Sequence, residues 1–324
     1  MTIIIKSIGD TLAMNKNAFI FGAATAAVVL VLLFSFLTSE EGYSVREDVV
    51  VGDYIEYEFY AEQHIAYDME MNVNEFYDRF LHYDVSQMTQ GEDALYPYKG
   101  SDLECRTFHS DDTLVYLAKG SDVPVYEEED YYSLHYVRSL VSTTVDLTKP
   151  VSPSDITEGT ELKRVDVQTG GDANTTERLM TVGKIDEQGN TAVALKMLVL
   201  MEETVDLTVA SVDGDMLTME NGDEYDRDSF LSYVSYAYKL QDLKEQYETI
   251  IEESDSRERF DLPMGNGYYD VHTLVAEGLN KEERTFTIAH SGDAVALQEI
   301  QFKTRLVQSS YSSWKLIGSS LLEK

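Results

Sequence analysis

Residues 18–37, AFIFGAATAAVVLVLLFSFL, form one uncharged apolar run. At about 1.5 Å rise per residue such a run makes a helix of roughly 30 Å, the thickness of a bilayer's hydrocarbon core. A buried core helix of this length, so far from the rest of the chain's apolar segments, would be unusual. A secretory signal has a shorter core, about 7 to 15 residues, ending at a small-x-small cleavage site. Here the run exits through Ser35-Phe36-Leu37-Thr38-Ser39-Glu40, and the single cysteine, Cys105, is not where a lipoprotein anchor needs one. The expectation is an uncleaved single-pass transmembrane helix over 18–37, preceded by a head of residues 1–17 that shortens if Met14 is the start. Lys6 and Lys16 lie before the run, and the first basic residue after it is Arg46. Basic side chains stay on the cytoplasmic side, so the N-terminus is expected inside and the C-terminal body outside the cell membrane.

That body is strongly acidic. The chain carries 59 Asp and Glu against 25 Lys and Arg, and all but Lys6, Lys16 and Asp10 of these lie beyond the run. A field of that sign repels nucleic acid and anionic headgroups, which excludes nucleic-acid binding, and it attracts cations and basic partners. It also keeps an exposed surface soluble without any ligand. One cysteine rules out an internal disulfide framework, so the body must be held by its core. Its length is enough for two units or more.

An internal repeat refines that division. Three comparable stretches open at Gly52 (VVVGDYIEYEF), Gly159 (ITEGTELKRVDV) and Gly265 (LPMGNGYYDV), 107 and 106 residues apart. In the second and third, Asn174 aligns with Asn280, Glu177-Arg178 with Glu283-Arg284 and Thr181-Val182 with Thr287-Ile288. After a shift of four residues, Ala192–Leu195 aligns with Ala294–Leu297, as a shorter hairpin loop would produce. The loops Ile185–Asn190 and His290–Asp293 carry the Gly, Asn and Asp that tight hairpins require. The first copy fits with an insertion between Tyr60 and Cys105, where residues 72–85 have the pattern of a helix. Carboxylates at 126–130 and 225–228 precede apolar runs in the first two copies, which predicts helices beginning near Tyr131 and Ser229. Tyr233, Tyr236, Leu240, Leu243, Tyr247 and Ile250 make one helical stripe suited to packing on the protein's own sheet. Pro150–Ser154 and Glu252–Arg259 read as joints. The expected fold class is therefore β-rich α+β: the anchor, then tandem antiparallel β units with short helices. These comprise 42–150 with the insertion, 151–258 ending in a helix, and a truncated unit 259–324.

Chemistry is sparse. Cys105, His109, Asp111 and Asp112 form the one local set that mixes soft and hard ligands, but zinc sites show paired Cys or His spacing, and a buried thiol beside a hairpin turn accounts for the same residues. Asp213-Gly214-Asp215 and the acidic stretch Asn221–Asp228 superficially suggest calcium, yet the EF-hand order of ligands is not satisfied, and two glycine turns around a short strand explain them. No nucleotide, metalloprotease or nucleophile-elbow pattern is present. Twenty-two tyrosines, several in clusters such as 54-57-60 and 131-132-136, suit half-buried strands as well as sugar or protein contacts. Asn174-Thr175-Thr176 is a glycosylation acceptor sequon, expected in a loop on the exterior side.

No catalytic or cofactor-binding residue set emerges, no cofactor is implied, and no metal set is assigned. The expectation is a membrane-anchored exterior binding protein, non-enzymatic, engaging a protein, glycan or cation. A tethered hydrolase using carboxylates or Cys105 is the second reading, and an accessory subunit of a membrane complex the third. Nothing in the sequence sets an oligomeric state.

Overall fold

The computed structural model describes residues 42–170, 173–247, 249–278, 281–304 and 306–323. The apolar run, the head and Asn280 lie outside the described residues, and no described helix is long and apolar enough to cross a membrane. What is described is β-rich and antiparallel, with a few short helices.

Two long strands organise it. Strand β2 (Tyr54–Asn72), which follows the short β1 (Ser44–Val45), pairs with β11 (Asn190–Asp213) through an unbroken antiparallel ladder, from Tyr54 opposite Thr208 to Asn72 opposite Asn190. On one side of this ladder the first half of the chain winds a meander. It comprises β4 (Ala94–Tyr98), β5 (Ser101–His109), β6 (Thr113–Ala118), β7 (Pro124–Tyr131), β8 (Leu134–Thr143), β9 (Glu161–Thr169) and β10 (Asn174–Val182), the last pairing with β11, while the short β3 (Thr89–Gln90) joins β5. The meander curls back on itself: the Tyr96 hydroxyl on β4 donates to the Leu140 carbonyl on β8 at 3.0 Å.

On the other side, β14 (Thr249–Leu262), β15 (Gly265–Glu277), β16 (Glu283–Ser291), β17 (Ala294–Phe302) and β18 (Val307–Ser319) make a second meander that returns to β2. The hairpin β12 (Met216–Met219) and β13 (Glu224–Asp226) extends the far end of β11. The sheet closes on itself with the β2–β11 ladder as a chord, so it encloses two lobes, each with its own core. The first lobe is filled by Met71, Phe76, Leu140, Leu162, Met180 and Val193 among others, and the second by clusters around Ile55, Leu207 and Phe230 and around Leu274 and Phe286.

Helix α1 (Val73–Phe80) forms inside the stretch expected to be helical. Asn72 caps it by accepting from the Asn74 N–H, and its amide reaches the Gln188 carbonyl, fixing the helix to the β10–β11 loop. Phe76 is fully buried and draws the helix across the first lobe.

Two expected helices form differently. Residues 131–141 are the β7–β8 hairpin: Tyr132 takes positive φ in the turn, and His135 to Thr143 pair with β9. Alternating aromatic and β-branched residues with ladder partners on both sides outweigh an N-terminal run of carboxylates. The segment from Ser229 breaks into α2 (Arg227–Leu231) and α3 (Tyr236–Gln246), and the chain is extended again by Thr249. The expected joint Glu252–Arg259 therefore lies within β14, and each of the joint's residues finds a partner on β15. The helical part of the apolar stripe does cover the protein's own sheet: Leu243, with Tyr236, Leu240 and Tyr247, packs on Leu274, Phe286 and Ile288, while Ile250 joins the same cluster from β14. Tyr233 turns away to stack on Tyr57.

The repeated glycines separate into two kinds. Gly52 and Gly159 occupy the same turn: the N–H of each donates to a carbonyl of a neighbouring strand, Val209 or Val182, and those two residues donate back to Asp53 and Thr160. Both glycines have φ near the left-handed region, which favours Gly there. Gly265 instead opens β15 directly from the β14 hairpin. Ala192–Leu195 and Ala294–Leu297 lie on β11 and β17, each the strand that follows a hairpin partner, β10 or β16.

Candidate functional site

The first lobe contains a cavity of about 600 Å³ between α1 and the inner face of the sheet. Its lining is built by cross-strand register, because residues directly opposite on antiparallel strands share a face and those two positions along lie in the next row. One row runs Leu162, Met180, Leu195, Tyr67 across β9, β10, β11 and β2. The next runs Leu140, Arg164, Arg178, Met197. The one beyond runs Glu127, Arg138, Asp166, Thr176. Leu140, Leu162, Asp166 and Thr176 belong to these rows without lining the cavity, and the residues that do line it pass from apolar to basic to mixed charge over the three rows. The α1 end of the cavity is supplied by Arg79, Phe80, His82 and Tyr83.

Four of the chain's eleven arginines, Arg79, Arg138, Arg164 and Arg178, line this one space in a protein of net charge −34. Arg164 is 6% exposed. Its Nη2 donates to the Phe80 carbonyl, at the end of α1, at 2.8 Å and to the Pro124 carbonyl at 3.0 Å, while its Nε is buried with no hydrogen-bond partner among the described residues. Burial, and after it the Arg138 charge, push the Arg164 guanidinium down to about 10 from its ordinary 12.5. Directly opposite it stands Arg178, lowered by the same two causes. Like charges facing each other across a ladder destabilise it.

Two carboxylates temper the cluster. Glu127 pairs with Arg138, and Asp166 pairs with Arg178 and, at 3.4 Å, with Arg138 Nε. The Tyr83 hydroxyl is pushed up to about 12 by burial and by Glu127. Four guanidiniums against two carboxylates leave the site positive, and among the described residues no carboxylate makes a close ion pair with Arg164, on which Glu127 acts only at longer range. The chemistry available is capture of an anionic group by a guanidinium fork in a partly dry site.

A second cavity, of about 620 Å³, lies against the β2–β11 ladder where β18 joins it. Glu58, Glu202 and Glu203 line it with Tyr60, Tyr311 and Lys315. Its sign is that of the whole surface.

The residues singled out from sequence do not converge. Cys105 is fully buried in the first lobe's core, its thiol pushed up to about 11 by burial, whereas His109 is exposed at the end of β5. Four residues along a strand separate them by roughly 13 Å. Asp111 and Asp112 sit in the β5–β6 turn, where Asp112 accepts from Ser110 and Thr113. Asp213, Gly214 and Asp215 form the turn into β12, and Asp226 caps α2 through the Ser229 N–H and hydroxyl. Among the described residues no three His, Cys, Asp or Glu side chains gather as a metal-holding group. Asn174 is the first residue of β10.

The arginine cavity escaped the sequence reading because its members are 99 residues apart at the extremes. A signal was present: Arg164 and Arg178 share strand parity with buried Leu162 and Met180, where an apolar residue is the default. Comparisons with protein-family models, curated proteins and solved structures found no match.

Proposed function

We propose that this chain is a membrane-tethered, exterior binding protein that holds a small anionic ligand in the cavity of its first lobe. The observation that carries this is Arg164: a buried guanidinium with an unpartnered Nε, facing a second arginine across the ladder. An anion between them would supply the missing acceptor and relieve the repulsion. No nucleophile, base and orienting group converge there, which favours binding over catalysis. Support for the tether is the apolar run at 18–37. Strand β1 begins seven residues after the run and pairs with β19 (Leu322–Glu323), so on this reading the tether would join the body beside the second lobe.

The test is thermal unfolding of the full chain with phosphate, sulfate, citrate or benzoate at an ionic strength fixed with chloride. At ten times its dissociation constant a ligand adds about 1.4 kcal/mol, or a shift of roughly 2 °C or more for a body of this size. At least one anion is expected to produce that shift in the native chain and not in Arg178→Gln. Indifference of the native chain to every anion would overturn the reading. Protease applied to intact cells tests the tether, with digestion of the body expected and its protection decisive against.

A further inference from the structure

The rows of the first cavity specify more than charge. Resting on the anion-binding reading above, we infer that the ligand is an anionic amphiphile: a carboxylate or phosphate group carried on an apolar body of alkyl or ring character. The basic row, Arg164 and Arg178, is flanked along the same strands by Leu162 and Met180, two positions nearer one end of the lobe. On the adjoining strands Leu195, Tyr67 and Met69 continue that apolar surface into the cavity, and Met197 stands beside Arg178 at its edge.

A site meant for a bare oxyanion surrounds it with donors. This one meets the anion with guanidiniums on one side and offers hydrocarbon and thioether on the other. Methionine side chains are flexible and polarisable, which fits a ligand body of variable shape. Three of them, Met69, Met180 and Met197, line the space. The volume, about 600 Å³, falls within the usual range for a site that takes a molecule rather than an ion.

The depth ordering sets the pose. The charged group lies in the row of Arg164 and Arg178, with Arg138 beside it, and the apolar body extends along Met180 and Leu195 toward Met69. Glu127 and Asp166 flank the basic row on the side away from the apolar rows. They would repel a second anionic group placed there, so a ligand with one charged end is preferred over one charged at both.

The experiment is calorimetric titration of the full chain in nanodiscs of uncharged lipid with inorganic phosphate, butyl, hexyl and octyl phosphate, the matching alkyl carboxylates, and hexylammonium. Arg178→Gln in the same discs gives the background, including any partition of the octyl probes into the lipid. Affinity is expected to rise with chain length from butyl to octyl by roughly fourfold per methylene at the upper limit of full burial. Hexyl phosphate and hexanoate are expected to bind and hexylammonium not. Arg178→Gln should lose at least tenfold for every anion, and Arg178→Lys should recover part of that loss, which separates charge from collapse of the fold. Met180→Glu should abolish the chain-length dependence.

Each outcome bears on a different claim. Binding of inorganic phosphate with no gain from an alkyl chain overturns the amphiphile inference and leaves the anion site standing. Equal binding of hexylammonium and hexyl phosphate, or affinities unchanged in Arg178→Gln, overturns both. Tighter binding of a dianion charged at both ends than of its singly charged analogue overturns the proposed pose.

Discussion

Replacing Arg164 by methionine separates a guanidinium kept for a ligand from one kept for the fold. The side chain is 6% exposed, and methionine matches its stem as far as Nε, so packing of the stem is preserved while the space of the guanidinium head is vacated toward the cavity. Two terms oppose each other. The depression of its pKa from 12.5 to about 10 corresponds to about 3 kcal/mol that burial, with the Arg138 charge after it, costs the charged form in the folded state. Its two hydrogen bonds, to the Phe80 and Pro124 carbonyls, are charge-assisted and contribute about 1.5–3 kcal/mol each. The variant should therefore lose about 0–3 kcal/mol in the absence of ligand, a small cost for deleting a buried charge. The assay is chemical unfolding of the full chain, followed by circular dichroism, with and without a stabilising anion. At a hundred times its dissociation constant the ligand should add about 2.7 kcal/mol to the native chain and little to Arg164→Met. A loss above about 5 kcal/mol, together with an equal anion effect in both proteins, would show Arg164 to be a clamp between α1 and β7 and refute the ligand argument.

Two further outcomes follow from buried groups elsewhere. Cys105, with its thiol pushed up to about 11 by burial, should label slowly with thiol reagents from pH 5 to 9 and rapidly only on unfolding, and Cys105→Ala should cost about 1–2 kcal/mol. Fast labelling with a midpoint well below about 8.5 would instead reveal an activated nucleophile. Asp53 is 4% exposed; burial raises its pKa, but the Val50 N–H, the Ser320 hydroxyl and Arg46 outweigh burial and hold the carboxyl below its ordinary 3.8. A depressed carboxylate stabilises the fold fully above the unfolded-state value and loses that contribution as pH falls through the folded one. Asp53→Asn should thus cost about 1.5–3 kcal/mol at pH 7, with the gap to the native chain narrowing below about pH 4. A gap that stays constant down to pH 2 would dismiss the linkage.

What the sequence disclosed is what local chemistry decides. The β10–β11 loop was legible because Gly189 takes positive φ and Asp186 accepts from the Gln188 and Asn190 N–H groups, a turn written entirely in neighbouring residues. The same holds for α1, whose cap Asn72 sits beside the apolar residues it positions. The β2–β11 ladder was not legible. It joins residues more than a hundred positions apart, and many of its residues alternate weakly because the middle of each strand is only half-buried. Residues 134–143 misled for a related reason: a run with tyrosine, leucine and valine at mixed spacing satisfies both periods, and pairing with β7 and β9 decided between them. At the site the failure was of assembly. Arginine on a strand is ordinarily a solvated residue, and nothing around Arg79, Arg138, Arg164 or Arg178 separately announces that register brings three of them into adjacent rows.

The sign of the cavity is what gives it weight. Acidic clusters on this protein need no ligand to explain them, since carboxylates cover the whole surface, and the cavity lined by Glu58, Glu202 and Glu203 continues that field inward. A group of guanidiniums gathered on one cavity wall runs against it, and solubility cannot account for Arg164, the one of the four that is turned away from solvent. The outer field should slow an approaching anion, while attraction acts only over the last few ångströms inside the lobe. Salt screens the long-range repulsion across a Debye length of about 8 Å at physiological strength, but reaches the buried Arg164 much less. Moderate salt should therefore speed association without a matching loss of affinity, the reverse of what an exposed basic patch does. An apolar ligand body strengthens this asymmetry, because its burial does not weaken as the charges are screened.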